Sequence, residues 1–361
     1  MNISSLKSQS SRKIIIIFLF IIIICLIILG FLLLGKKSNS VFEKMISMNI
    51  FSQENELSSA SFPFKELTIP YLRSKTYSSK LNNLSFVSDN SLYTEYTTSY
   101  SSDGLKINGL LTIPKEDKPK NGFPAIVFVH GYISPIQYET LKNYESYVDY
   151  FAQKGYVVFK IDFRGHANSE GEASGAYYSS DYIIDILNAY SALQNSDFVN
   201  KDKIGLWGHS MAGNLVMRSL AASPNISAIV IWAGAVYTYE DFSEFGIQDN
   251  SYRAPGTSTQ RQKRRQELFD TYGRFSKDSE FWKQVAATNY LGDIKGAIQI
   301  NHATDDEVVK IEYSRNLNKI LNETKIPHEL NEYPSGGHNI SDESFDTAMQ
   351  NSVNFFDKYL K

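Results

Sequence analysis

Beyond the N-terminal apolar run this sequence has no cysteine. The one thiol, Cys25, lies inside that run, which excludes disulfide frameworks, cysteine nucleophiles and thiolate metal sites for everything after it. Histidine is scarce as well: there are six, none in an H-E-x-x-H pair, so a zinc hydrolase lacks its ligand set. An excess of either charge is also missing. Lys and Arg total 36 against 39 Asp and Glu, a formal net charge of −3, and such a balance provides no basic surface for a nucleic acid.

What is present starts with Ile14 to Leu34, an unbroken apolar run bounded by Arg12 and Lys13 before it and Lys36 and Lys37 after it. About 21 residues at ~1.5 Å each span the hydrocarbon layer as one helix. The run exceeds a signal-peptide h-region and no A-x-A-like site follows it, so it reads as an uncleaved anchor in a lipid bilayer. Flanking charges nearly tie, with Lys7 added on one side and Lys44 on the other. Orientation therefore rests on analogy with signal anchors, the short tail 1–13 inside and the large domain extracytoplasmic. Residues 35–94 are Ser/Asn-rich, with Pro63 and Pro70 as breakers. They read as a stalk and then an extended segment lying on the domain.

From residue 95 to 361 the pattern is regular. Tyr96 to Tyr100 and Leu105 to Ile113 flank the turn Ser102-Asp103-Gly104 as a hairpin. Apolar strands then alternate with helices. The strands are Ala125 to Val129, Tyr156 to Ile161, the run ending at Gly208, Ala228 to Trp232, Ala297 to Asn301 and Glu329 to Tyr333. The helices are Tyr144 to Gln153, Asp181 to Gln194, Leu215 to Ala222, about Glu312 to Leu321 and Phe345 to Leu360. This alternation predicts an α/β fold, a mainly parallel sheet covered on both faces. In such sheets sites form at the carboxyl ends of the strands.

Three groups fall at such ends. Gly208-His209-Ser210-Met211-Ala212-Gly213 joins a strand to a helix with small residues around one serine, the pattern of a nucleophile elbow. Met211 offers a backbone N–H at the helix start, where the dipole favours negative charge. After Ala297 to Asn301 comes the carboxylate cluster Asp305-Asp306-Glu307, and after the last strand Gly336-Gly337-His338. A serine hydroxyl is a weak nucleophile until an imidazole takes its proton, and the imidazole needs a carboxylate to fix its tautomer. The chain order Ser, acid, His supplies all three.

With these motifs on view, the chain resembles the α/β-hydrolase superfamily, and within it the serine peptidases of the prolyl oligopeptidase type, over roughly Tyr96 to Leu360. The motifs are GHSMAG at 208–213, HGY at 130–132, DFRGHANSEG at 162–171, HATDDEVV at 302–309 and GGH at 336–338. The resemblance implies Ser210 as nucleophile, Asp306 as acid, His338 as general base, and the N–H groups of Met211 and Tyr132 as oxyanion hole. It implies no metal or organic cofactor. Positions 167, 212 and 303, glycine in the family, are alanine here. The stretch before the domain is too short for the propeller of those peptidases.

Other residues carry structural readings. His130 and His209 support loops, His166 shapes the site floor, His328 is exposed, and Asp162 with Arg164 forms an internal pair or loop brace. The insert from about Tyr237 to Tyr290 stands where the superfamily places a cap. Its residues Tyr237, Tyr239, Glu240, Phe242, Phe245, Tyr252, Phe281 and Trp282 form either the wall of a substrate pocket or the cap's own core. The basic run Arg261 to Arg265 is a solvated helix face. The expected function is that of a membrane-anchored serine hydrolase acting on a peptide or small-molecule substrate. Two rivals stand beside the peptidase reading: a carboxylesterase or lipase-like acyl hydrolase, and a non-catalytic binding protein on the same fold.

Overall fold

The computed structural model describes residues 63–247 and 259–361, all within the compact unit Pro63–Lys361. The expected anchor Ile14 to Leu34 with Cys25, the expected stalk up to residue 62, and Tyr252 of the expected cap lie outside them. Among the described residues no helix is long and apolar enough to cross a membrane.

The chain enters with a 3-10 turn, Lys65–Leu67, and the helix α1, Ile69–Ser74. Sequence reading expected neither, because it took Pro70 for a breaker. Pro70 stands instead in the first turn of α1, where a missing N–H costs nothing, and Thr68 caps that turn by accepting the Tyr71 N–H at 3.3 Å. Strand β1, Ser85–Asp89, is likewise unforeseen, and it pairs antiparallel with β2, Tyr93–Ser102. The hairpin from β2 to β3, Leu105–Pro114, closes through Asp103 and Gly104. Both turn residues have positive φ, 50° and 81°, the two-residue turn whose twist matches the strands.

Next in order come β4 (Phe123–Val129), α2 (Glu145–Ala152), β5 (Val157–Ile161), α3 (Asp181–Gln194), β6 (Val199–His209), α4 (Met211–Ala222) and β7 (Ala228–Trp232). The insert holds α5 (Tyr239–Phe245), α6 (Thr259–Tyr272), α7 (Glu280–Val285) and a 3-10 turn, Ala287–Tyr290. The chain ends with β8 (Ala297–Ala303), α8 (Glu312–Asn322), β9 (His328–Tyr333) and α9 (Phe345–Leu360). The sheet order is β1-β2-β3-β5-β4-β6-β7-β8-β9. It is antiparallel from β1 to β5 and parallel from β5 to β9.

The central strands are apolar throughout because both faces are covered. Ala228 to Trp232 are at most 0% exposed, and α4 is buried on every side. One side of α4 packs on the sheet and another meets the entering segment. Arg73 donates its Nε–H to the Ala221 carbonyl at 2.8 Å and pairs with Asp293 at 2.9 Å. Arg218 of α4 reaches back to the Leu67 carbonyl at 2.5 Å. Leu67, Ile69 and Leu72 of this segment are therefore part of the core.

Leu72, fully buried, tests that placement. Leu72→Ala should cost about 2–5 kcal/mol in guanidinium unfolding, whereas a segment merely resting on the surface would lose a few tenths.

Candidate active site

Ser210 stands between the last residue of β6 and the first of α4, at φ 56° and ψ −119°. A non-glycine backbone there stores roughly 1–3 kcal/mol of strain, so its surroundings must hold it. The Ser210 N–H donates to the Trp232 carbonyl at 2.8 Å. Strand and helix close tightly beside it: a Cβ on Gly208 would come within 2.8 Å of the Ala212 carbonyl oxygen, and one on Gly213 within 2.6 Å of Gly234 Cα. Glycine at 208 lets the turn be so sharp, and glycine at 213 lets α4 lie against the segment that follows β7. Ala212 itself, like Ala303, is outside the left-handed region; of the three replaced glycines only Ala167 has positive φ, 46°.

The ends of β6, β8 and β9 bring three side chains into line. Ser210 Oγ lies 2.8 Å from His338 Nε2, and His338 Nδ1 lies 2.8 Å from Asp306 Oδ2. A hydroxyl donating to Nε2 leaves the ring proton on Nδ1, donated to the carboxylate. Asp306 is fully engaged. Its Oδ1 accepts the N–H groups of Val308 and Val309 at 2.8 and 2.9 Å, and its Oδ2 also faces His302 Nε2 at 3.1 Å. Burial pushes its pKa up, but the hydrogen bonds from His302, His338 and the backbone outweigh burial and hold the carboxyl well below the usual range. The neighbouring Asp305 has another task. It accepts the N–H of Gly337 at 2.8 Å and of Gly336 at 3.3 Å, which ties down the loop carrying His338.

His302 is the residue that sequence reading missed. It is fully buried, with Nδ1 at 2.7 Å from Ser314 Oγ and Nε2 at 2.9 Å from the Val309 carbonyl. Its signal in the sequence is its place at the head of HATDDEVV, four residues before Asp306. The expected oxyanion donors also fall near the elbow. Met211 opens α4, and the N–H groups of a helix's first turn have no intrahelical acceptor. Tyr132 follows β4, which neighbours β6 with Val129 opposite Gly208.

The remaining histidines act as braces. His130 donates from Nδ1 to the Gly131 carbonyl at 2.7 Å and stacks on Tyr138 at 4.4 Å. His209 Nδ1 lies 2.6 Å from the Tyr144 hydroxyl and its Nε2 lies 2.8 Å from the His338 carbonyl. Burial, and then the nearby His338 ring, lower the His209 pKa to about 3. His328 is half-buried at the start of β9, its Nδ1 at 2.7 Å from the Ile326 carbonyl, where exposure was expected.

Asp162 and Arg164 do not pair with each other. Arg164 grips Asp185 of α3 at 2.7 Å, while Asp162 accepts from Tyr138 and Thr140 at 2.9 and 2.6 Å. In the insert, Tyr239, Phe281 and Trp282 are buried. They pack edge-on or tilted against one another and stack on Phe275 and Tyr272, with Tyr272 and Phe281 parallel at 3.9 Å. These aromatics form a small core within the insert, and Trp282, with Glu240 and Phe275, also lines a cavity there. Arg264 pairs with Glu66, and Arg265 lies over the Tyr178 ring at 5.1 Å, so part of the basic run is engaged with protein and not with solvent alone.

The family described as "Serine aminopeptidase, S33" matches residues 122–255, the stretch that holds the HGY turn and the elbow. The fold is that of the α/β hydrolases. It is a serine hydrolase, and among curated proteins it is similar to peptidases. It is 25% identical over 247 residues to the uncharacterized peptidase YtmA of Bacillus subtilis (strain 168), covering 67% of this chain and 85% of that one. It is 29% identical over 169 residues to dipeptidyl peptidase 8 of Mus musculus, covering 44% of this chain but 18% of that much longer one. In fold it is similar to acetyl xylan esterase 1 from Thermoanaerobacterium sp. JW/SL YS485, at TM-score 0.58 and 19% identity over 82% of this chain and 94% of the other.

The lowered His209 pKa has a measurable sign. The unfolded chain binds this proton below about 6.5 and the folded one only near 3, so stability is full above pH 6.5 and declines toward pH 3 by ~1.4 kcal/mol per unit. Buried His130, also lowered, adds a slope of the same sign. Guanidinium unfolding between pH 7 and 4.5 should show this decline, and His209→Phe should reduce its slope by about one proton.

Proposed function

We propose that this α/β-hydrolase is a membrane-anchored serine peptidase in which Ser210, His338 and Asp306 act as a catalytic triad. The reading rests on one observation above all, the unbroken line of hydrogen bonds from Ser210 Oγ through the His338 ring to Asp306. His338 Nε2 takes the serine proton as Oγ attacks the carbonyl. Asp306, held ionised, stabilises the imidazolium that results. The oxyanion forms against the N–H groups of Met211 and Tyr132. His338 then gives its proton to the leaving group, and an acyl-enzyme on Ser210 remains. Water, activated by the same imidazole, releases the acid. No step needs a metal ion or an organic cofactor.

Peptide bonds are preferred as substrate because the S33 aminopeptidase match and the similarity to YtmA and dipeptidyl peptidase 8 all point to peptidases. The same atoms hydrolyse an ester with less demand on the leaving group, so an acyl ester hydrolase is the second reading, favoured by the fold likeness to acetyl xylan esterase 1. Aminoacyl anilides compared with p-nitrophenyl esters decide between them: a higher kcat/KM on the anilides supports the peptidase, and turnover of esters alone reverses the order.

For the triad, Asp306→Asn should lower kcat by about 10⁴-fold, since it leaves the histidine in the wrong tautomer. Asp305→Asn, which touches only the loop N–H groups, should lose far less. Equal losses would remove Asp306 from the role. The anchor reading predicts that the full-length chain stays in the membrane fraction after alkaline carbonate washing, and that deleting residues 14–34 releases it.

A further inference from the structure

Between the turn after β4 and the loop of His338 runs a line of hydrogen bonds that the triad does not use. The Gly131 N–H donates to the Tyr144 hydroxyl oxygen at 2.9 Å, Tyr144 Oη and His209 Nδ1 are 2.6 Å apart, and His209 Nε2 faces the His338 carbonyl at 2.8 Å. Burial keeps the His209 imidazole neutral, and a neutral ring leaves one arrangement of protons for all three contacts. The His338 carbonyl can only accept, so His209 carries its single ring proton on Nε2. The bare Nδ1 then accepts from the Tyr144 hydroxyl, whose oxygen accepts from Gly131.

The surroundings are built around the line. A Cβ on Gly131 would lie 2.8 Å from the Tyr144 hydroxyl and 3.1 Å from His209 Nδ1, so any other residue there would push both away. Tyr144 is held at φ 61° and ψ 23°, a left-handed conformation unusual for a bulky side chain, as the cap residue before α2. Its ring is packed edge-on against Phe128 at 5.5 Å and Trp207 at 6.1 Å. The loop at the other end has little regular structure to hold it: Gly336, Gly337 and Ile340 all have positive φ. Its backbone is fixed from outside, by Asp305 at the Gly336 and Gly337 N–H groups, by Tyr147 at the Asn339 carbonyl and by His209 at His338 itself.

We propose that Tyr144 and His209 are positioning residues, a hydrogen-bonded strut that sets the spacing between the Gly131-Tyr132 turn and the backbone of His338. The inference rests on the serine-hydrolase reading above, in which the turn supplies an oxyanion donor and the loop supplies the base. Both must be correctly placed around one reacting carbonyl, and errors well under an ångström matter there. The strut touches neither the substrate nor the reacting atoms, so its loss should slow the chemical step and leave binding alone.

The test uses the full-length chain and a fluorophosphonate, with the adduct located by peptide mass and with kinact and KI measured separately. Tyr144→Phe keeps the ring and removes only the hydroxyl. It should lower kinact tenfold or more with KI within twofold. His209→Phe should do the same, and the double variant should fall no further than the worse single one, because both break one line. Circular dichroism melts establish that each variant is folded; if His209→Phe does not fold, Tyr144→Phe decides. A Tyr144→Phe protein that labels at the wild-type rate overturns the strut while leaving the nucleophile intact, and so does a double loss equal to the product of the single losses. A loss confined to KI also overturns it. Absence of any adduct at Ser210 in the folded wild-type chain overturns the strut together with the reading beneath it.

Discussion

The carboxylate of Asp306 collects four donors that come from separate parts of the chain: two backbone N–H groups just after β8, the ring of His302 within β8, and the ring of His338 after β9. Burying a charge is costly unless it is fully bonded, and here the bonding is complete. The arrangement makes the ionised form the stable one, which in turn fixes the direction of the His338 ring and aims its other nitrogen at Ser210. Much of the local structure follows from this one anion. His302 has to be buried with a partner at each nitrogen, and Asp305 has to face away to hold the glycines of the loop.

Around that centre the fold supplies rigidity where the backbone is strained. Ser210 at φ 56° is held by the N–H bond to Trp232 and by the close approach of Gly208 to α4. The elbow helix is enclosed by the sheet on one side and by residues 65–74 elsewhere, through Arg73 and Arg218. Strain at Ser210 is thus borne by the best-buried part of the molecule. The left-handed Tyr144 is placed in the same way, edge-on against the stacked rings of Phe128 and Trp207.

The central strands could be read from the sequence because a strand buried on both faces is a plain apolar run, as in Ala228 to Trp232. The serine and histidine could be read because each sits among glycines at a strand end. The acid was narrower: spacing within the family's motif picked Asp306 over Asp305, and in the structure the geometry at His338 Nδ1 involves Asp306. What could not be read depends on contacts distant in sequence. Pro70 looks like a breaker until Thr68 is seen capping the turn it begins. Arg164 looks like a partner for Asp162 until α3 delivers Asp185. Tyr144, 65 residues from His209, carries no local pattern at all. The aromatics of the insert read as a pocket wall or as a core, and packing shows that Trp282 belongs to both.

A serine nucleophile must become acylated during turnover, and here that serine is Ser210. Rapid acid quenching of the full-length chain with an activated acyl substrate, followed by peptide mass mapping, reads this directly. The peptide containing Ser210 should gain the mass of one acyl group, a gain absent in Ser210→Ala and not accumulating in His338→Ala. Turnover at undiminished rate by folded Ser210→Ala, or an acyl group found on another residue with Ser210 unmodified, would contradict it.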